Sequence, residues 1–261
     1  MAKLVATAAA LAAFGLVSSA HAADLPVKAP PMIPAPAFSW TGCYVGAHLG
    51  GAWSRQDADS AVPIISNQAP GFVTLRDSGV IGGGQAGCNY QFASSFVVGI
   101  EGDGSATRLS DTEQLPNLLR DGTPVGNGGI AFSHETTWLA SVRGRLGFVA
   151  TPNVLLYVTG GAAWNNTDYS ASDVFNGGCP NCASTAFSSV RTGWVAGGGG
   201  EWAPWNNNWL IRAEYLYYGF SGTTATPPRP GFPTAPPTFT WHDDNVSEVR
   251  VGLSYKFGVR P

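Results

Sequence analysis

The fold is indicated most clearly near the end of the chain, by the stretch Val249-Arg250-Val251-Gly252-Leu253-Ser254-Tyr255-Lys256-Phe257. Apolar side chains alternate there with small, polar or charged ones. A period of two residues is typical of a β-strand with one apolar and one polar face. The polar face carries Arg250 and Lys256, so this strand presents charge on one side only.

The same alternation recurs upstream. The polar faces of the predicted strands carry Gln85, Asn89, Gln91, Glu101, Asp103, Ser141, Arg143, Arg145, Arg212, Glu214 and Arg250. The opposite faces carry apolar residues such as Val80, Tyr90, Val98, Ile100, Val142, Leu146, Ile211 and Tyr215. Charges of both signs therefore recur in the middle of strands, on one face.

We predict eight strands, at residues 40–53, 78–92, 96–107, 135–150, 154–168, 187–203, 209–220 and 245–257. The connections 93–95, 151–153 and 204–208 are very short, whereas 54–77, 108–134, 169–186 and 221–244 are long. Strict alternation of short and long connections is typical of an outer-membrane barrel. The predicted fold class is all-β: an eight-stranded antiparallel transmembrane β-barrel with up-and-down meander topology.

Composition favours a membrane protein. Only 12% of the residues are charged, about half the share usual in soluble domains. A water-soluble barrel would bury the apolar faces and expose the charged ones, and periodicity alone does not distinguish the two. Aromatic residues favour the membrane, because they gather at both strand ends, as at two interfaces. Beside the short turns lie Trp202, Trp205, Trp209, Phe92, Phe96, Tyr255 and Phe257; nearer the long connections lie Trp53, Trp138, Trp164 and Tyr217.

The N-terminal segment predicts export. Lys3 precedes an apolar run, Leu4–Val17, and Ala20-His21-Ala22 forms a small-residue cleavage site, the three parts of a signal peptide. An N-terminal membrane anchor would need about 20 apolar residues, more than this run supplies. We therefore expect a signal peptide at 1–22, a Pro-rich periplasmic linker at 23–39 and the barrel at 40–261. Loss of Lys3 takes the formal charge from −3 to −4, so no nucleic-acid partner is expected.

Several segments resemble the eight-stranded transmembrane domain of the OmpA type, and above all the small porin-like outer-membrane proteins of alphaproteobacteria. They are Trp40-Thr-Gly-Cys-Tyr-Val-Gly-Ala-His-Leu-Gly50, Glu201-Trp202, Ile211-Arg-Ala-Glu-Tyr215 and Val251-Gly-Leu-Ser-Tyr-Lys-Phe-Gly258. The resemblance implies a lumen charge network of Glu101, Arg143, Arg145, Glu201, Arg212, Glu214, Arg250 and His48. Within it, Glu101 would pair with Arg212, and Arg145 with Glu201. His48 stands where the OmpA type carries Lys.

The resemblance also implies a location in the outer membrane. The expected partners are outer-membrane lipid and lipopolysaccharide, with periplasmic chaperones and the barrel-assembly machinery during biogenesis. The expected state is a monomer without cofactor or metal.

Four cysteines form two candidate pairs. Cys43 and Cys88 fall on adjacent strands, near the same end and on the outward face, so a cross-strand disulfide is geometrically reasonable. Cys179 and Cys182 lie in the third long connection. A disulfide closing that connection is the main interpretation, with a redox motif, half of a metal site and free thiols as alternatives.

No catalytic centre is predicted. The interior Glu and Arg residues would suit acid–base chemistry, but paired charges are the structural default inside membrane barrels. His134-Glu135 and His242-Asp243-Asp244 lie at strand mouths without a suitable Ser, so we interpret them as solvated loop ends.

Three functions follow from this pattern. The leading one is a structural protein of the outer membrane that supports the envelope and displays surface loops. The alternatives are a small passive channel, and an adhesion or ligand-binding module that uses loops 54–77 and 221–244.

Overall fold

A computed structural model of the chain describes residues 38–61, 71–118, 124–175, 184–204, 208–228 and 237–257. These residues belong to the second of two units, Pro36–Pro261. The first unit, Met1–Ala35, lies outside the described residues, and with it the predicted signal peptide and most of the Pro-rich linker.

The described chain forms one antiparallel sheet closed into a barrel. Its strands are β1 Gly42–Ala61, β2 Gly71–Phe92, β3 Phe96–Leu118, β4 Pro124–Thr151, β5 Val154–Phe175, β6 Ser184–Trp202, β7 Trp209–Phe220, β8 Thr223–Ala225 and β9 Thr238–Phe257. Neighbours in sequence pair from β1 to β7, β7 pairs with β9, and β9 pairs with β1. The three-residue β8 pairs only with β9. The eight-stranded meander is thus confirmed, with β8 as a small addition to it.

The short turns join strands at one end of the barrel. Between β2 and β3, Ala93 and Ser94 adopt positive φ angles of 49° and 62°, as a tight hairpin requires. Phe92 and Phe96 pair directly on either side of this turn, and their rings stack with centroids 5.9 Å apart. We call this end of the barrel the turn side.

The predicted long connections are wrong in extent, because most of their residues continue the strands. Only 62–70, 119–123, 176–183 and 221–237 separate the long strands on that side, and the last of these contains β8. A bulge explains part of the error. The register shift between Thr136 and Trp138 changes the inward parity of β4, from Leu139 and Ser141 on one side to Thr136 and His134 on the other, so a constant period of two ends there.

The outward face carries an apolar belt, formed by the outward residues of 43–53, 80–92, 96–106, 138–148, 154–164, 190–202, 209–217 and 249–257. Its exposed side chains include Val45, Leu49, Trp53, Val80, Tyr90, Ile100, Val142, Leu146, Val158, Trp194, Val251, Leu253 and Phe257. Within the described strands no Asp, Glu, Lys or Arg faces outward in this belt. Its width matches the roughly 9–11 residues with which a strand crosses a bilayer.

Beyond the belt, on the side away from the turns, the outward face becomes polar. Outward charges begin with Arg55, Arg76, Arg108 and Glu135, each within four residues of the belt edge. The strands therefore rise well above the belt as a second, water-facing part of the barrel. Among the described residues, no helix is long and apolar enough to cross a membrane.

The interior is filled in layers, which we name from the turn side outward. The turn-side apolar layer contains Trp40, Val97, Leu155, Tyr157, Ala203 and Leu210. A charged layer follows, and then a middle apolar layer of Ala52, Ile81, Leu109, Leu139, Ala163, Val195, Leu216, Tyr218, Phe220 and Val246. An outer polar layer, which includes Ser54, Asp77, His134, Arg191 and Asp244, comes next. The outermost is an outer apolar layer of Ala58, Leu75, Ile130, Phe132, Tyr169, Ala171, Phe239 and Trp241.

Glycines make room for the charged layer. A Cβ on Gly83 would lie 2.0 Å from the carbonyl oxygen of Gly104, and one on Gly197 would lie 2.1 Å from that of Tyr215. Strand glycines usually weaken a sheet. Here they let neighbouring strands curve tightly around large interior side chains.

Candidate functional site

The charged layer lies at the depth of the apolar belt and is built by six strands. Tyr44 and His48 come from β1, the acids Glu101 and Asp103 from β3, and the remaining members from β4, β6, β7 and β9. They are Arg143, Arg145, Glu201, Arg212, Glu214, Glu248 and Arg250. All eleven side chains point inward because they share the polar parity of their strands.

Two arginines and two glutamates form a closed ring. Arg212 contacts Glu101 at 2.7 Å and Glu201 at 2.6 Å. Arg145 contacts Glu201 at 2.7 Å and Glu101 at 3.4 Å. The phenol of Tyr44 donates to Glu101 and accepts from Arg145 at 2.5 Å. Each guanidinium thus bridges both carboxylates, and the ring ties together β1, β3, β4, β6 and β7.

A second set of pairs shares Glu101 with this ring. Arg143 reaches Glu101 at 2.5 Å, Asp103 at 2.9 Å and Glu214 at 3.1 Å. Arg250 contacts Glu214 at 2.7 Å and Asp103 at 3.2 Å. All of these side chains are at most 1% exposed. The two sets form one continuous network across the lumen.

At the outer edge of the network, uncharged side chains supply hydrogen bonds to His48 and Glu248. His48 contacts Gln85 at 2.6 Å and Ser105 at 2.7 Å through its two ring nitrogens. Glu248 lies 3.5 Å from Arg250 and accepts a 3.0 Å hydrogen bond from Tyr218. Polar groups that are buried with such partners avoid the cost of lost hydration.

The turn-side edge is closed by an aromatic contact. The guanidinium of Arg145 lies 3.9 Å from the ring centroid of Tyr157, which belongs to the turn-side apolar layer. A desolvated cation over an aromatic face is stabilised by about 2 kcal/mol. The charged layer therefore rests directly on the apolar layer below it.

The structure places all eight residues of the expected lumen network in this layer. The two expected pairs, Glu101 with Arg212 and Arg145 with Glu201, are in contact, but as parts of one ring and not as separate pairs. The expected network omitted Tyr44, Asp103 and Glu248. Each shares the inward parity of a neighbour that was included, so strand parity was the signal that identifies them.

Chemically, the layer is well suited to hold strands together. Each of its five carboxylates, on Glu101, Asp103, Glu201, Glu214 and Glu248, contacts at least one guanidinium. A general acid or base needs access to a substrate proton, and these groups are buried between two apolar layers. Among the described residues, no group of three or more His, Cys, Asp or Glu side chains is arranged to hold a metal ion.

The outer polar layer corrects the interpretation of the strand mouths. His134 and Asp244 are fully buried, within β4 and β9, and are not solvated loop ends; the strands rise past them. His134 lies 3.1 Å from Asp77, which also accepts from Ser54. Arg191 pairs with Asp244 at 2.7 Å. His242 and Asp243 are exposed, as expected, and the Glu135 side chain is 37% exposed.

Burial and hydrogen bonding shift the pKa values of Asp77 and Asp244, the two acids of this layer, in opposite directions. Burial opposes ionisation of Asp77, but hydrogen bonds from His134 and Ser54 outweigh it and hold the pKa of that carboxyl below its usual value. Burial prevails at Asp244 and raises its pKa, although the Arg191 guanidinium acts in the opposite direction. Asp77 therefore stays ionised in the folded barrel at neutral pH.

The disulfide expected on β1 and β2 is confirmed. Cys43 and Cys88 are cross-strand partners and are joined by an S–S bond, with Cα atoms 3.9 Å apart. The second candidate pair, Cys179 and Cys182, lies outside the described residues, as does the Trp205 side chain of the turn-side aromatic group.

Aromatic side chains mark both edges of the belt. Trp202, Trp209 and Phe257 are exposed on the turn side, and Trp53 and Trp138 at the opposite edge. Such girdles sit at membrane–water interfaces. Trp194, also exposed, belongs to the outer edge and was not among the predicted girdle residues.

The apolar belt, the aromatic girdles and the closed meander agree with the protein family whose model the sequence matches. Residues 9–257 match the family model described as outer membrane protein beta-barrel domain. The chain belongs to this family. Its location is accordingly the outer membrane of a bacterium, and the apolar belt faces lipid.

Curated relatives cover nearly the whole chain. The 31 kDa outer-membrane immunogenic protein of Brucella melitensis is 32% identical over 92% of this chain and 94% of its own length. The 25 kDa outer-membrane immunogenic protein of Brucella canis is 28% identical over 97% of both chains. Among solved structures, Ail of Yersinia pestis is 18% identical, with a TM-score of 0.37 over 83% of this chain and 99% of that one.

Proposed function

We propose that this protein is a structural component of the outer membrane, with a lumen that is closed to solutes and an outer part that displays protein surface. It supports the envelope as a stable, non-catalytic barrel. The observation that carries this proposal is the charged layer, in which the ring of Glu101, Glu201, Arg145 and Arg212 spans the lumen.

Closure of the lumen is supported by the order of the layers. An eight-stranded barrel has an interior just wide enough for side chains to fill. Here the charged layer lies between the turn-side and middle apolar layers. A solute would have to separate buried ion pairs and also pass two layers without polar partners. A passive channel is therefore the less favoured function.

Display is supported by the length of the strands. β4 continues from the belt edge at Trp138 outward to Pro124, about 14 residues at roughly 3.3 Å each along the strand. The curated relatives are named immunogenic outer-membrane proteins, and a protein part raised above the lipid is a surface that antibodies reach. We therefore infer that this chain, too, displays protein surface outside the cell, and we assign it no specific ligand.

The surroundings follow from the same proposal. The belt contacts outer-membrane lipid, with lipopolysaccharide in the outer leaflet, and one chain closes its own barrel, so a monomer is sufficient. Periplasmic chaperones and the barrel-assembly machinery would act during biogenesis.

Conductance tests the closed lumen. The protein, expressed from its full coding sequence and purified from outer membranes, is first checked for heat-modifiable gel mobility and then inserted into planar bilayers. We expect no discrete current steps. Regular steps from the original protein, absent from a mock preparation, would contradict closure and favour the channel.

A further inference from the structure

The outward cations of the described chain are confined to one sector of the barrel. Five arginines point into the interior, and Lys256 bonds to the backbone of Ser39 at the turn side. The remaining described cations, Arg55, Arg76 and Arg108, face outward. They lie on the adjacent strands β1, β2 and β3, just beyond the apolar belt. No outward cation of the described strands lies elsewhere.

Two of these arginines are placed against each other. Arg55 and Arg76 are direct cross-strand partners in the antiparallel ladder of β1 and β2. Both side chains are exposed. Like charges directly opposite one another destabilise a sheet, so this pair costs stability unless an anion lies between the two guanidinium groups.

Two acids of the described strands lie near the pair, but neither forms an ion pair with Arg55 or Arg76. Among the described residues, neither Arg55 nor Arg76 has a side-chain ion pair. The Asp57 carboxylate accepts from Thr74 at 2.6 Å, and that of Asp111 accepts from the backbone N–H of Arg76 at 2.7 Å. On its other side, Arg55 pairs with the uncharged Asn245.

Arg108 behaves differently. Its guanidinium forms an ion pair with Glu135 at 2.9 Å. It lies at the same rim and is highly exposed, with 84% of its side-chain surface accessible. It therefore serves as an internal comparison for an arginine whose charge is already balanced.

The position of Arg55 and Arg76 along the barrel axis corresponds to the lipid headgroup region. Trp53, exposed at the belt edge, marks the interface and lies two residues before Arg55, about 7 Å along the strand. Phosphate groups of lipids lie just outside the hydrocarbon. Arginine binds phosphate through paired N–H groups and is the residue best suited to this contact.

We propose that Arg55 and Arg76 form a binding site for a phosphate of an anionic lipid headgroup in the outer leaflet. The phosphate lies between the two guanidinium groups and removes their repulsion. The site needs no catalytic or channel activity. It rests on the part of the proposed function that places this rim in the outer leaflet, whereas the closed lumen is tested separately by conductance.

The test compares two lipid environments. The full-length protein purified from outer membranes is transferred to vesicles of phosphatidylcholine, with or without bisphosphorylated lipid A. Native mass spectrometry counts the lipid A retained on the barrel, and heat-modifiable mobility gives the midpoint of thermal unfolding. The variants are the double Arg55→Gln/Arg76→Gln and the matched control Arg108→Gln.

The expected results differ in sign between the lipids. In phosphatidylcholine alone, the double variant unfolds at the same temperature as the original protein or higher, because a repulsion is gone. With lipid A, the original protein and Arg108→Gln gain stability and retain the lipid. The double variant loses the gain and binds at least about tenfold less, since each charged hydrogen bond contributes about tenfold or more.

Three outcomes would overturn the site. Equal retention of lipid A by the double variant would remove Arg55 and Arg76 from binding. Equal loss in Arg108→Gln would reveal a diffuse charge effect. Equal stabilisation by lipid A stripped of phosphate would exclude the lipid phosphate as the ligand, and equal stabilisation by inorganic phosphate would show that the site takes a free anion and not a lipid.

Discussion

Removal of the Glu101 charge is the most direct test of the charged layer. The Glu101 carboxylate contacts Arg143 at 2.5 Å, Arg212 at 2.7 Å and Arg145 at 3.4 Å, and it accepts from Tyr44. Glu101→Gln keeps the volume of the side chain and one acceptor oxygen. It leaves three buried guanidinium groups with one fewer negative charge between them.

The size of the effect follows from what each arginine retains. Breaking a buried ion pair from one side costs about 3–5 kcal/mol. Arg145 and Arg212 keep Glu201, and Arg143 keeps Glu214, so no cation is left alone. We therefore expect a loss near the lower limit, about 3 kcal/mol in the free energy of unfolding.

Glu135→Gln is the matched control. It removes the same chemical group from an ion pair of similar length, that with Arg108 at 2.9 Å, but at an exposed position. Exposed pairs contribute about 0–1 kcal/mol. Urea unfolding in detergent micelles, followed by heat-modifiable mobility and tryptophan fluorescence, measures both variants. Equal midpoints for Glu101→Gln and Glu135→Gln would refute the role assigned to the charged layer.

Three further predictions concern the disulfide, the lipid face and pH. Reduction of the Cys43–Cys88 bond, which spans 45 residues, should lower the free energy of unfolding by up to about 4 kcal/mol, and Cys43→Ser/Cys88→Ser should then be insensitive to reductant. Leu253→Arg, in the middle of the belt on β9, should cost about 2–4 kcal/mol in lipid vesicles, against about 0–1 kcal/mol for Ser188→Arg, which lies beyond the belt on β6 opposite Asp168; equal costs would contradict the placement of the belt. Asp77→Asn should destabilise the barrel at pH 7, because the folded-state pKa of Asp77 is lowered; urea titrations should show the difference shrinking as the pH falls below about 4 and through that pKa.

The membrane-spanning part of the fold could be predicted from sequence because lipid excludes charged side chains from the outward face. Every outward position in the belt is uncharged, so the alternation in the Val249–Phe257 stretch persists around the whole barrel. The short turns, such as 93–95, follow from the ends of that alternation. The Cys43–Cys88 pair follows from the register of β1 and β2.

The outer part was not accessible in the same way. Beyond the belt water lies outside, and the interior changes along each strand from the outer polar layer to the outer apolar layer, so the inward face has no uniform character. A bulge at Thr136/Trp138 also shifts the inward parity of β4. The contact of His134 with Asp77, which lies two strands away on β2, therefore has no periodic signal in the sequence.

The charged layer also explains why the register of the barrel is unique. A slip of one residue in β4 would turn Arg143 and Arg145 out of the lumen and into lipid. Each arginine exposed to lipid at mid-depth costs about 2–4 kcal/mol. Its carboxylate partner would also stay buried in the lumen without a counter-charge. Buried ion pairs often add little net stability when compared with apolar packing. Their larger effect here lies in the alternatives they penalise, because in a closed barrel a slipped strand displaces the pairing of both of its neighbours.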